Sequence, residues 1–155
     1  FDNTLLLIDP EAAKAYEEAV RRDAETPEYA QARQHVKDIQ NKQAAREDYA
    51  QGRRFEQQKN WYAATEKYKA ACSKDPSQVE YGQGAALGLI MQATEVYNQM
   101  ALELKLKKGK LNSVGRYLSK IESYIREAKS FAPGYGVVKE FEENYQRRRK
   151  ELMPR

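Results

Sequence analysis

The chain has 155 residues, 41% hydrophobic and 32% charged, with 27 basic against 23 acidic side chains and a net charge of +4. That length suits one domain able to bury a core, and a small positive excess spread along the chain is a weak pointer to any anionic partner. No stretch approaches the ~20 apolar residues of a membrane span, and the single cysteine, Cys72, excludes an internal disulfide and a cysteine-built zinc site.

The chain opens on Phe1 with no secretory leader pattern, which reads as a processed product or an excised domain. The expectation is a soluble protein, cytoplasmic or periplasmic, with the compartment undecided. Glycine and proline are few and sit mostly at segment ends, which argues against disorder and against a turn-rich all-β chain. The one strand-like run is TLLLI at Thr4 to Ile8. Residues 1–9 read as a linker or the end of a preceding domain, and residues 10–155 as one helical domain.

The first helix is expected within IDPEAAKAYEEAVRRD. Asp9 suits the N-cap, Pro10 the first helical position and Glu11 the positive end of the helix dipole. Ala12, Tyr16, Ala19 and Val20 share a face, and the helix should stop near Thr26-Pro27. The second spans about Pro27 to Lys59, as one long helix or two with a break. Tyr29, Ala32, Val36 and Ile39 make an apolar stripe, KDIQNKQAARED is a surface suited to water, and Ala50, Gly52 and Phe55 restore a packing face. The third runs from Asn60 to Lys74, closed by Asp75-Pro76. The fourth, Ser77 to Lys107, has the highest apolar content in the chain, from Leu87 through Leu106, so much of its circumference should be buried. Gly109 closes it. The fifth, Leu111 to Phe131, places Val114, Tyr117, Leu118, Ile121, Tyr124, Ile125 and Ala128 at helical spacing and stops at Ala132-Pro133-Gly134. The last, Val137 to Leu152, puts Val138, Phe141, Tyr145 and Leu152 on one side. Its other faces are charged, acidic early and basic late.

The stretch GRRFEQQKNWYAATEKYKAACSKDP, Gly52 to Pro76, has the residues of two closely nested antiparallel helices. Gly52 permits close backbone approach, Phe55 fills the space one turn on, and Trp61 opens the partner helix and lies across the first. Ala64 faces the Gly52 region, and Tyr68 and Ala71 continue that face to Asp75-Pro76. In this register Gly52, Phe55, Trp61, Ala64, Tyr68, Ala71 and Pro76 resemble the tetratricopeptide repeat, a helix-turn-helix unit of about 34 residues. Ala45 to Gln78 spans one unit, with Lys59 where the family usually has glycine at the turn. AAKAYEEAVRRDA resembles the second helix of an earlier unit. A degenerate unit follows at 79–133. Leu118, Ile121, Ile125, Ala128 and Pro133 repeat the steps of Trp61 to Pro76, but the fourth helix overruns the usual length by about three turns. The resemblance implies an all-α superhelix of antiparallel helix-turn-helix repeats with one enlarged repeat, and 137–152 as the C-terminal capping helix that such stacks need.

Candidate chemistry is sparse. His35 stands alone on a polar helix and reads as a solvated side chain. YGQGAALG, with Gly82, Gly84 and Gly88, has the wrong spacing for a dinucleotide loop and no preceding strand, so its small residues read as points where helices approach. Cys72 reads as a buried small hydrophobe, since no activating base is near it in the pattern. The acidic pairs Glu17-Glu18 and Glu142-Glu143 lie on exposed faces with no pocket. RRRK at Arg147 to Lys150 reads as a charged helix end, and Lys105, Lys107, Lys108 and Lys110 form a second basic cluster around Gly109, with an anionic partner or a membrane surface as its minority reading.

The expectation is a non-enzymatic adaptor or scaffold with no cofactor and no metal. The resemblance implies that a partner protein or peptide segment lies in the groove of the stack. By register, Arg46, Tyr49, Arg53 and Gln57 should line it, with Gln83, Leu87 and Ile90 from the next helix. A lysine and asparagine clamp for a C-terminal carboxylate, present in some members, has no counterpart, because Tyr49 and Arg53 hold those places. The alternative is a structural module of a larger secretion or pilus assembly touching sister subunits. Nucleic-acid association through the basic clusters is a third, weaker reading, and oligomerisation stays open.

Overall fold

The computed structural model describes residues 10–22 and 27–153. The expected N-cap Asp9, the TLLLI run and the linker at 1–9 lie outside the described residues, as do the side chains of Tyr16, Ala19 and Val20. Among the described residues the fold is all-α, built from α1 (Pro10–Arg22), α2 (Pro27–Gln57), α3 (Trp61–Lys74), α4 (Val79–Leu106), α5 (Val114–Phe131) and α6 (Gly136–Leu152), with no strand. From α2 onward the expected boundaries hold to within three residues, and α2 is one unbroken helix, while the expected stop of the first helix near Thr26 lies outside the described residues. On α1 the buried alanine is Ala13, not the expected Ala12.

The turns explain the breaks. At the end of α2 the Asn60 amide donates to Phe55 O and the Lys59 amide to Glu56 O, both at 2.9 Å, which is a Schellman closure. Lys59 takes the left-handed conformation, φ 57°, that glycine would adopt without strain. Asn60 also caps α3, its side-chain oxygen accepting from the Ala63 amide at 3.1 Å. The α4–α5 turn repeats the closure with Lys108 (φ 52°), and Gly109 follows at φ 81°.

From α2 onward consecutive helices pair antiparallel, α2 on α3, α3 on α4, α4 on α5 and α5 on α6, while α4 also touches α2 and α6. The arrangement is two-layered, with α2, α4 and α6 in one layer and α3 and α5 in the other. Lys69 of α3 reaches across to α5, pairing with Glu127 and lying 5.9 Å from the Phe131 ring centroid. The largest core cluster belongs to α4, α5 and α6, where Leu89, Met100, Leu118, Ile121, Ile125, Val138 and Tyr145 are buried. Two smaller clusters hold α2, α3 and the start of α4 together around Ala45, Ala64, Tyr68, Ala71, Tyr81 and Ala85.

The nested pair differs from expectation in its central contact. Gly52 faces the Tyr68 ring, where a Cβ would stand 2.7 Å from Cε1, and Ala64 instead packs beside Tyr68 and Ala85. Gly84 of α4 meets the same ring from the other side, at 2.9 Å from Cγ. Tyr68 is thus a slab between two helix backbones that only glycines let so near. Gly82 passes the Phe131 carbonyl, and Gly88 passes Thr65. Trp61, expected in the core, is half-buried, because it is the first residue of α3 at the open end of the pair. Leu102 and Leu106 are exposed on α4, whose last turns are covered on one side alone.

Candidate functional site

The layer of α2, α4 and α6 carries most of the polar and aromatic side chains with functional potential. On α2, Arg46, Tyr49, Arg53 and Gln57 follow one another at helical spacing along one stripe. Arg46, Arg53 and Gln57 are exposed. Tyr49 is half-buried, wedged between Tyr68 (centroids 5.4 Å) and Tyr81 (4.9 Å), both rings tilted against it. Three tyrosines from three helices therefore form one aromatic cluster, of which Tyr68 and Tyr81 are buried and Tyr49 alone reaches the surface.

Its electrostatics are set by a few neighbours. The Tyr68 hydroxyl donates to the Glu56 carboxylate, and Arg53 Nη1 stands 3.4 Å from the same carboxylate. Burial, followed by that bond to Glu56, pushes the Tyr68 phenol well above the ordinary tyrosine range, so it stays protonated and donates. Burial also raises Tyr81, with Asp75 adding to the rise and Arg46 opposing it. Arg46 forms no ion pair among the described residues and keeps its guanidinium in solvent.

On α4 the expected lining residues part company. Leu87 is half-buried. Ile90 is not in a groove at all: it lies in the main core, 3% exposed, because its direction on the helix points at α5 and α6. Gln83 lines a separate cleft of about 950 Å³ with Lys69, Cys72, Gly82, Phe131 and Tyr135 among its walls. Cys72 is half-buried there, and burial raises its thiol above the usual range, away from reactivity.

A pocket of about 340 Å³ opens between α4 and α6, lined by Tyr97, Asn98, Phe141, Asn144, Tyr145, Arg147 and Arg148. The Arg148 guanidinium lies 5.6 Å from the Tyr97 ring centroid, and its Nη1 donates to the Tyr97 hydroxyl at 3.4 Å. Beneath it the Tyr145 hydroxyl donates to Glu122 at 2.9 Å, and Arg149 Nε pairs with Glu122 at 3.1 Å. Arg147, Asn98 and Asn144 make no side-chain hydrogen bond or ion pair among the described residues, so their donors face the pocket's solvent. The sequence flagged the RRRK tract but not this pocket. The Tyr97–Arg148 contact joins residues 51 positions apart, which no local pattern announces.

Among the described residues no group of three or more His, Cys, Asp or Glu side chains could hold a metal ion. No helix of the described residues is long and apolar enough to cross a membrane. No protein-family model, no curated protein and no solved structure matches this chain.

Proposed function

We propose that the chain is a non-enzymatic adaptor that holds an extended segment of another protein along the face of α2, α4 and α6, in the manner of a tetratricopeptide stack. The observation that carries this reading is the exposed stripe of Arg46, Arg53 and Gln57 around the half-buried Tyr49, whose ring the buried Tyr68 and Tyr81 hold in place from behind. A rigid tyrosine beside arginines is the kind of site that dominates binding energy at protein interfaces, because such side chains bury area at small entropic cost. Arg147 and Arg148 at the α4–α6 pocket extend the same polarity, so an acidic, unstructured segment is the matching partner.

A displayed library of unstructured peptides, panned on the chain, tests this. Enrichment of acidic sequences with an aromatic or aliphatic anchor is the expected result. Arg53→Glu and Tyr49→Ala should each weaken the selected peptides about tenfold or more while helicity stays unchanged. Failure to enrich any sequence, or peptides indifferent to both substitutions, removes the adaptor reading.

A second reading, a structural module touching sister subunits, rests on α2. Its N-terminal half runs beyond α3, packs against α1 and leaves nearly every side chain from Pro27 to Gln43 in solvent. Self-association seen in sedimentation, lost on cutting back residues 10–43, would favour that module.

A further inference from the structure

We propose that the α4–α5 hairpin tip is a docking surface for an anionic lipid membrane, a role separate from the peptide face. Residues 102–116 hold five cations, Lys105, Lys107, Lys108, Lys110 and Arg116, against one carboxylate, Glu103. That surplus of four equals the net charge of the whole chain, +4, so all other residues together balance. The positive excess is not spread out, as the sequence first reads; it is concentrated in this one segment, which the fold sets at a hairpin tip. The lone carboxylate is engaged, since the Tyr117 hydroxyl donates to Glu103 at 2.6 Å.

The same tip shows its apolar side chains outward. Leu102 and Leu106, one helical turn apart, are 58% and 73% exposed. Leu104 and Leu111 pack inward on the main core and hold the hairpin in place. The turn itself is closed by the Gly109 amide donating to Leu104 O at 2.7 Å. The C-terminus of α6 arrives at the same end, because Arg148 meets Tyr97 and Arg149 meets Glu122, and it brings the exposed Leu152 and Met153 with Lys150.

Exposed leucines interleaved with exposed lysines at a hairpin tip match a surface that is apolar within and anionic at its rim, which is a bilayer with acidic headgroups. A nucleic acid would use the cations but leave the leucines in water. The tip offers it no stacking platform either, the nearest ring, Tyr117, being tied to Glu103.

Co-sedimentation of the chain with vesicles decides the matter. Binding is expected to phosphatidylcholine vesicles containing phosphatidylserine, to weaken with added salt, and to be absent with phosphatidylcholine alone. Changing all four tip lysines to glutamine should lower partitioning more than about a hundredfold, at about fivefold per charge. Leu102→Ser with Leu106→Ser should lower it about tenfold while circular dichroism stays that of the parent. No binding to the anionic vesicles, equal binding to both kinds, or indifference to the leucine pair each overturns the proposal. So does a duplex oligonucleotide bound more tightly than the vesicles and unaffected by the leucine change, which would assign the tip to nucleic acid.

Discussion

Tyr68 is the residue on which the nested pair turns. Its ring fills the gap between the α2 and α4 backbones, 1% exposed, and its hydroxyl is fixed by Glu56. Removing it as Tyr68→Ala should cost about 3–5 kcal/mol, as for other emptied aromatic sites. Trp61→Ala should cost clearly less, since Trp61 is half-buried at a helix start. Two glycine substitutions give a sharper contrast. Gly52→Ala gains about 1 kcal/mol of helix propensity but drives a Cβ into a ring that cannot swing aside, and the net loss should be about 1–2 kcal/mol. Gly115→Ala meets nothing within 4 Å and should instead stabilise by up to about 1 kcal/mol. Thermal melts of the two variants shifting in the same direction would refute this account of Gly52. Lys59 supplies a third case. It holds a left-handed conformation without glycine's freedom, so Lys59→Gly should raise stability by about 0.5–1 kcal/mol, read as a higher urea midpoint at unchanged slope. The sequence already showed Lys59 in the place of a turn glycine; the left-handed φ says what that departure costs.

At the scale of the element, α2 is held to α3 by apolar packing and by two carboxylates, Glu56 on the Tyr68 hydroxyl and Asp48 on two lysines. Asp48, in the polar tract that reads as solvated, is 8% exposed and bonds Lys67 and Lys74 of α3. Burial acts to raise its pKa, but the hydrogen bond and charge of Lys74, with Lys67 behind, outweigh burial and bring it below the ordinary 3.8. A carboxyl with a lowered folded pKa stabilises the fold above its unfolded value and loses that contribution as pH falls through the folded one. Both lysines are more than a third exposed, so screening keeps the worth to about 1 kcal/mol. Asp48→Asn should therefore be less stable than the parent near neutral pH by about that amount, with the gap closing below the ordinary carboxylate pKa. A gap that persists unchanged into acid would mean that Asp48 acts by packing and not by charge. Helix limits were legible because Pro27, Pro76, Gly109 and Pro133 punctuate the chain and α5 keeps strict helical spacing. The direction each polar side chain takes was not. Asp48 and Ile90 depend on which neighbour lies across from them, and that is settled by pairing between helices rather than by spacing within one. The arginine and tyrosine stripe on α2 could be read from spacing, whereas the α4–α6 pocket needed the fold.

Over the whole molecule the core is uneven, and the unevenness fixes where the chain should open first. The large cluster of α4, α5 and α6 joins three helices, the clusters of α2 and α3 are small, and the N-terminal half of α2, residues 27–43, buries two side chains, Val36 and Ile39. An isolated helix of that length is marginal in water, so its order depends on the packing of that narrow buried face. In a stack whose parts touch chiefly their neighbours, stability is local and a weak end can melt without the rest. Amide hydrogen exchange should show this as a gradient. Amides of residues 27–43 are expected to exchange fastest among the interior turns of the helices, those of 61–74 at an intermediate rate, and those of 86–100 and 118–128 only through global unfolding. Low urea should speed the first group little, because its opening exposes little new surface, and the last group strongly. Equal protection across α2 and α4, with one shared urea slope, would show instead that α1 and the N-terminal half of α2 are integral to a single cooperative unit.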